Sequence, residues 1–179
     1  MTNENGNPER ITKIEGAERL LKTAVDLFFE NKDMLSIHTL SCAAHEVLHV
    51  FLKTQDKRVS FLKDNPSIRP NKKRQYHDLI HHTQNFVKHA SKDRTATMKY
   101  YEAETPFWLF DAIQMYVQLT GSLNFKTFAL FSMWFKVRHK DLLLDEVLAR
   151  FPIIKSADPQ YIKDNYIRLL QDSSLNGFA

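Results

Sequence analysis

The chain has 179 residues, 43% of them hydrophobic and 26% charged, which allows one domain with a substantial core. Four glycines and six prolines are too few for a sheet protein with many tight turns, and a single cysteine, Cys42, excludes an intrachain disulfide. The polar N-terminus has no apolar signal segment, and the longest uncharged stretch of the aromatic region, residues 112–125, is too short to span a bilayer. We therefore expect a soluble cytoplasmic protein with no membrane segment.

Two helices are predicted in the first third of the chain. They follow residues 1–8, whose polar composition predicts disorder. Apolar residues at helical spacing then predict a first helix over residues 9–30. A second helix is predicted over residues 34–53, with Asp33 as its N-cap.

Capping residues, prolines and one glycine divide the rest of the chain into shorter helices. Thr105 and Pro106 are predicted to be the N-cap and first residue of a helix that Gly121 ends. Asp158 and Pro159 repeat this start signal for the last helix. The helices predicted after the second cover residues 72–90, 105–120, 124–138, 142–150 and 159–171.

The expected fold is all-α, because no run of alternating polar and apolar residues is long enough to predict a strand. An up-and-down helical bundle is expected over residues 9–150. Residues 151–179 are predicted to form a short helical appendage of the same domain.

The positive charge of the chain is concentrated in residues 53–74. This segment holds eight Lys or Arg residues against two Asp residues, whereas the whole chain has a net charge of only +4. Such a segment suits a phosphate backbone or an acidic partner. A solvated basic loop with no partner is the competing interpretation.

Residues 45–49 spell H-E-x-x-H, a pattern in which two histidines bind zinc and the glutamate activates water. A zinc protease needs a third ligand, and neither a further histidine nor a glycine follows within residues 50–57. A weaker hypothesis brings His45, His49 and His81 together as a metal site in the bundle core. The simpler interpretation is that these histidines are partly buried and hydrogen-bonded, so we expect no metal and no cofactor.

Nine of the 21 aromatic residues lie between Phe107 and Phe135. The predicted helix over residues 124–138 is therefore apolar nearly all round and should be buried on more than one side. Core packing accounts for one side, and an interface with a second subunit would account for the other. This pattern favours a homodimer.

Two phrases of the sequence resemble HEPN-like proteins, a family of small helical bundles. Residues 81–94, HHTQNFVKHASKDR, are similar to the end of the third helix of that family, and residues 36–52 are similar to its second helix. The resemblance covers about residues 15–140. It implies a helical bundle, and active members of the family are metal-independent ribonucleases that use an arginine and a histidine in a cleft, usually shared by two subunits.

The resemblance also implies candidate site residues. His89 takes the place of the family's histidine and Asn85 that of its asparagine, but Gln84 stands where the arginine is expected. Histidine can transfer protons near neutral pH, whereas a neutral glutamine cannot stabilise the charge of a phosphorane. The candidate catalytic residues are His89, Asn85 and Lys88, and the candidate ligand-binding residues are Arg74, Gln84, Arg94, Lys72 and Lys73. A purely structural role for Asn85, as a backbone partner, and for His89, as a helix cap, is the alternative.

The function expected from these patterns is a binding or regulatory module that engages RNA or another phosphate-bearing ligand. One alternative is a metal-independent endoribonuclease that uses His89. Another is a metal-dependent hydrolase with a histidine site in the bundle. The binding module and the endoribonuclease both require residues 84–89 to end a helix and to present a polar edge to a crevice.

Overall fold

A computed structural model of the chain describes residues 8–55, 60–89, 94–121, 123 and 125–172. Every regular element within those ranges is helical, which confirms the all-α expectation. The disorder predicted for residues 1–8 concerns seven residues outside the described ranges, and Pro8 itself is exposed.

The described residues contain ten α-helices and three short 3₁₀ turns. The longer helices are α1 (Lys13–Phe29), α2 (Met34–Lys53), α3 (Lys73–Ile80), α4 (His82–Lys88), α5 (Thr105–Thr120) and α6 (Lys126–Arg138). The shorter ones are α7 (Asp145–Arg150), α8 (Ile153–Ser156), α9 (Pro159–Asp164) and α10 (Tyr166–Gln171). The 3₁₀ turns are Pro70–Lys72, Glu102–Glu104 and Lys140–Leu142.

Side-chain caps determine where the first two helices begin. Thr12 and Glu15 form a capping box, so α1 starts at Lys13 rather than near residue 9 as predicted. Asp33 accepts a hydrogen bond from the backbone N–H of Ser36 (2.8 Å), which confirms both the predicted cap and the predicted start of α2.

Two predicted helices are each divided in two and one predicted cap is wrong, and local side-chain bonds accompany each of these differences. The helix predicted over residues 72–90 is divided at His81, whose side chain bonds Gln84. The last helix is divided at Asn165, whose amide donates to the Tyr161 carbonyl oxygen (2.9 Å) and so competes with the backbone ladder. Thr105 lies inside α5 instead of capping it, because its hydroxyl bonds Tyr100 (2.7 Å).

Helix α2 is the centre of the bundle and packs along both α1 and α5. It is the one described helix long and apolar enough to cross a membrane, but half of its most apolar 18-residue stretch is buried inside the protein. The core helix of a soluble protein has these properties. Its buried side chains include Ile37, Leu48 and Leu52, none of which is exposed.

Helix α6 is buried on more than one side, as its aromatic composition predicts. Phe131 contacts Phe28 of α1 edge-to-face, with ring centroids 5.1 Å apart. The other side of α6 is covered by α8, α9 and α10 of the same chain. Tyr166 of α10 stacks on Phe29 and its hydroxyl donates to Asp26 (2.6 Å). The aromatic residues therefore do not require a second subunit to cover them, and the homodimer stays a prediction.

Candidate functional site

An open cleft lined by polar and charged residues lies between α2, the loop over residues 60–64, α3 and α4, and we call it the α3–α4 cleft. Its volume is about 430 Å³. Its charged lining residues are Glu46, Lys63, Asp78 and Lys88. Its remaining lining residues are the imidazoles of His77, His81 and His89 and the amides of Gln84 and Asn85.

The short helix α4 presents its polar edge to this cleft. The helix ends at Lys88, and His89 follows at the C-cap position, where its backbone N–H donates to the Asn85 carbonyl oxygen (3.1 Å). Asn85, Lys88 and His89 are exposed, whereas Gln84 is buried. All four candidate residues of this segment thus share one cleft, and His89 also occupies the helix-end position that its structural interpretation requires.

The other candidate ligand-binding residues do not line the cleft. Lys72, Lys73, Arg74 and Arg94 are all exposed outside it. Arg74 lies in the first turn of α3, and seven residues of helix place it about 10 Å along the axis from His81. Arg74 and Arg94 therefore lie outside the lining of the cleft, and their role in ligand binding stays a prediction.

Gln84, which stands where the HEPN-like resemblance predicts an arginine, forms a hydrogen bond with His81 within the cleft. Its side-chain oxygen lies 2.9 Å from His81 Nδ1. An amide oxygen only accepts hydrogen bonds, so His81 carries its proton on Nδ1 and keeps a lone pair on Nε2. Burial, with the positive charge of Lys63, lowers the pKa of His81, which keeps the ring neutral at pH 7. Gln84 therefore supplies orientation instead of charge.

Lys63 is the basic residue that sequence analysis did not assign to the site. Its side chain is only 7% exposed and is ion-paired with Glu46, whose side chain is 53% exposed. Burial raises the pKa of Glu46, but the hydrogen bond and positive charge of Lys63 outweigh it, so the net pKa is lowered. Glu46 is therefore ionised at neutral pH and neutralises Lys63.

A buried carboxylate, Asp111 of α5, holds the loop that carries Lys63. Asp111 is 1% exposed, and it accepts a hydrogen bond from the Ser60 hydroxyl. It also accepts bonds from the backbone N–H groups of Phe61 (3.2 Å) and Leu62 (3.3 Å). His45 Nε2 completes this set at 2.9 Å. We call Asp111, His45, Ser60 and these two N–H groups the Asp111 network.

His45 is neutral in this network. Burial lowers the pKa of His45 more strongly than Asp111 raises it, so the contact is a hydrogen bond from imidazole to carboxylate and not an ion pair. Nε2 carries the proton that it donates to Asp111. The other nitrogen, Nδ1, is buried with no hydrogen-bond partner among the described residues.

The H-E-x-x-H residues thus fasten a loop and do not converge on a metal. His45 bonds Asp111, while His49 Nε2 bonds Asp64 (2.8 Å), which also accepts from the Ser60 N–H (3.2 Å). In the described part of the chain, no group of three or more His, Cys, Asp or Glu side chains could hold a metal ion. The described residues therefore do not support the alternative metal site of His45, His49 and His81, whose imidazoles bond separate oxygen acceptors.

Sequence reasoning missed Asp111 although the chain contains a signal for it. Asp111 is the only acidic residue between Glu104 and Asp141, within a segment dominated by aromatic and aliphatic residues. A lone carboxylate on a helix predicted to be buried requires hydrogen-bond donors. No comparable signal distinguishes Lys63 from the seven other basic residues of segment 53–74.

Comparison with known proteins found no match to this chain among family models, curated proteins or solved structures. The HEPN-like resemblance therefore stays a prediction based on two short phrases of the sequence.

Proposed function

We propose that this chain is an HEPN-like binding module of the cytoplasm that engages RNA through the α3–α4 cleft. What supports the proposal most directly is the end of α4, where Lys88 and His89 are exposed on a cleft that contains further imidazoles and amides. Lys88 forms no ion pair with any described residue, so its charge is free to meet a phosphate.

The basic residues outside the cleft extend this surface along α3. Arg74 precedes His77 by three residues and Asp78 by four, so these side chains lie on neighbouring positions of one helix face. Lys72 and Lys73 lie beside it and are exposed. An RNA strand carries a phosphate at every nucleotide, and several exposed cations at the start of α3, together with Lys88 in the cleft, suit such a ligand better than a single small anion does.

Binding of a fluorescently labelled single-stranded RNA, followed by anisotropy across a salt series, tests this proposal. The wild-type protein should bind with an affinity that falls steeply as salt rises. Lys88→Gln should weaken binding about five-fold and reduce the salt slope by roughly 0.7, since one phosphate contact is lost. Lys32→Gln, in the exposed turn between α1 and α2, is the matched control and should bind like wild type. The proposal is wrong if no RNA binds at low salt, or if Lys88→Gln and Lys32→Gln are indistinguishable.

A metal-independent endoribonuclease is the second candidate, and the tautomer of His81 favours it. One imidazole with a free Nε2 lone pair, that of His81, shares the cleft with the exposed imidazole of His89. In this reaction the RNA 2′-hydroxyl gives its proton to one imidazole, and the 2′-oxygen attacks phosphorus. The P–O5′ bond breaks, and the 5′-oxygen takes a proton from the other imidazole. A 2′,3′-cyclic phosphate and a 5′-hydroxyl result.

Incubation of RNA with the protein in EDTA separates the two candidates. The enzyme predicts shortened RNA with cyclic phosphate ends, lost in His89→Ala, whereas the binding module predicts intact RNA that is still bound. The positive charge that the reaction needs would come from Lys63 or Lys88, since no arginine lines the cleft.

We also propose that the protein is a homodimer, as in the family that it resembles. Because its own C-terminal helices cover α6, a dimer would use other apolar residues that remain exposed, such as Leu79, Phe86 and Val87 of α3 and α4. Analytical ultracentrifugation at micromolar concentration should then give a species of twice 21.0 kDa. A single 21.0 kDa species would remove the dimer.

A further inference from the structure

We infer that Lys63 is the deep anion-binding residue of the α3–α4 cleft and that it binds a terminal phosphate of the RNA. This phosphate displaces Glu46 from Lys63. The inference rests on the proposed function and names the part of the RNA that the site recognises.

The position of Lys63 is held from three sides. Its backbone N–H donates to the Ser60 hydroxyl (2.8 Å), and its carbonyl oxygen accepts from His77 Nε2 of α3 (2.9 Å). The preceding residue, Leu62, donates its N–H to Asp111. A cation on such a fixed backbone is already oriented, so binding an anion there costs little conformational entropy.

Glu46 is the more replaceable partner of this ion pair. Its side chain is 53% exposed at the surface of α2, whereas the Lys63 side chain is 7% exposed. Glu46 can turn into water with its charge hydrated, whereas leaving Lys63 unpaired costs free energy, because a buried charge without a counter-ion is unfavourable. Any ligand that takes Lys63 must therefore bring an anion to replace the carboxylate.

The depth of Lys63 favours a chain end over an internal phosphate. An internal phosphodiester carries one negative charge, and the RNA strand must leave it in two directions. A terminal phosphate carries up to two negative charges near neutral pH and joins the strand on one side only. It can reach the deep ammonium while the rest of the strand passes the exposed Lys88 and the basic residues of α3.

Three RNA oligonucleotides of one sequence provide the test, with a 5′-phosphate, a 3′-phosphate or hydroxyls at both ends. Anisotropy titrations should show that wild-type protein binds one phosphorylated form about ten-fold more tightly than the form with two hydroxyls. Lys63→Gln should remove this preference while it leaves the salt-dependent binding of the hydroxyl form largely intact.

Glu46→Gln should increase the preference for the phosphorylated end about three-fold, since the carboxylate no longer competes for Lys63. The same substitution in the Lys63→Gln background should change nothing. Asp78→Asn is the matched control, because it removes another negative charge from the lining of the cleft without touching Lys63. A general effect of charge would act equally in Glu46→Gln and Asp78→Asn.

The outcomes separate this inference from the proposed function. Equal binding of all three oligonucleotides, together with weaker binding by Lys88→Gln, overturns the role of Lys63 and leaves RNA binding in place. The inference is also overturned if Glu46→Gln and Asp78→Asn strengthen binding of the phosphorylated form equally. This comparison can be made even if Lys63→Gln does not fold. If the wild-type protein does not bind RNA, both the proposed function and this inference are wrong.

Discussion

A carboxylate lies on each side of the loop over residues 60–64, and the two carboxylates differ in burial and in role. On the inner side, the Asp111 network is almost fully buried, and the carboxylate accepts hydrogen bonds from four groups. On the outer side, the carboxylate of Glu46 is half exposed and holds one cation, Lys63. A satisfied buried carboxylate stabilises a fold, whereas an exposed one that neutralises a buried cation can be replaced by a ligand.

One helix supplies both sides. His45 and His49 of α2 face the interior and bond the carboxylates of Asp111 and Asp64, while Glu46, next to His45, faces the cleft. Burial therefore separates adjacent residues into one that fastens the fold and one that the proposed ligand can displace. Substitutions on the inner side should change stability, and substitutions on the outer side should change binding.

The largest expected effect is that of Asp111→Ala. The substitution removes the acceptor of two buried side chains, His45 and Ser60, and of two backbone N–H groups, and we expect a loss of about 4 kcal/mol in the free energy of unfolding. Urea denaturation followed by circular dichroism measures it. Glu146→Ala on exposed α7 should cost no more than about 0.5 kcal/mol. A loss below about 1 kcal/mol for Asp111→Ala would remove the structural role of the network.

The next effect is a loss of stability in acid through His38. Burial lowers the pKa of His38 to about 4 in the folded protein, from an ordinary value of 6.5. Between these values the unfolded chain binds a proton that the folded chain does not, so stability is complete above pH 6.5 and falls as the pH drops. The loss from this one group is about 3 kcal/mol. In His38→Gln, the free energy of unfolding should depend on pH less steeply by about one proton over this window. If the pH dependence of the free energy of unfolding is the same in His38→Gln and in the wild type, His38 is not the group responsible for this loss of stability.

A smaller effect is expected for Gln84→Leu. The substitution removes the acceptor of His81 Nδ1–H and should cost about 1 kcal/mol of stability. Nitrogen NMR of the imidazoles should find the wild-type His81 protonated on Nδ1 and the variant as a mixture of tautomers. If wild-type His81 is protonated on Nε2, Gln84 does not orient the ring as described.

The smallest effect on stability is expected for Lys88→Gln. Lys88 is exposed and unpaired among the described residues, so its replacement should change the free energy of unfolding by less than about 0.5 kcal/mol while RNA binding weakens. Urea denaturation and anisotropy on the same sample give both values. Equal losses in stability and binding would mean that the variant binds poorly because it is partly unfolded.

Local signals predicted the elements whose ends are capped within the sequence. Asp33 starts α2, and Gly121, with φ at 78°, ends α5 in the left-handed conformation that glycine favours. The break at His81 was not predictable, because it accompanies a hydrogen bond to Gln84 and packing on Trp108 of α5. A ring contact between α5 and the junction of α3 and α4 has no signature in the sequence near His81.

The candidate site was only partly predictable for the same reason. Residues 84–89 are contiguous, so the sequence indicated that they share one helix end. Lys63 reaches the cleft because Asp111 bonds the loop next to it, and that contact spans about fifty residues of chain. The depth of Lys63 in the cleft is a property of tertiary packing. From composition alone, Arg74 and Lys72 were equally plausible as ligand-binding residues.

NMR titration of isotope-labelled protein with a 5′- or 3′-phosphorylated RNA oligonucleotide tests the central claim most directly. The account predicts that resonances of Lys63, Asn85, Lys88 and His89 shift as RNA is added, while the His45 ring signals in the Asp111 network stay in place. Shifts confined to other surfaces, or RNA addition that leaves the residues of the α3–α4 cleft unchanged, would contradict it.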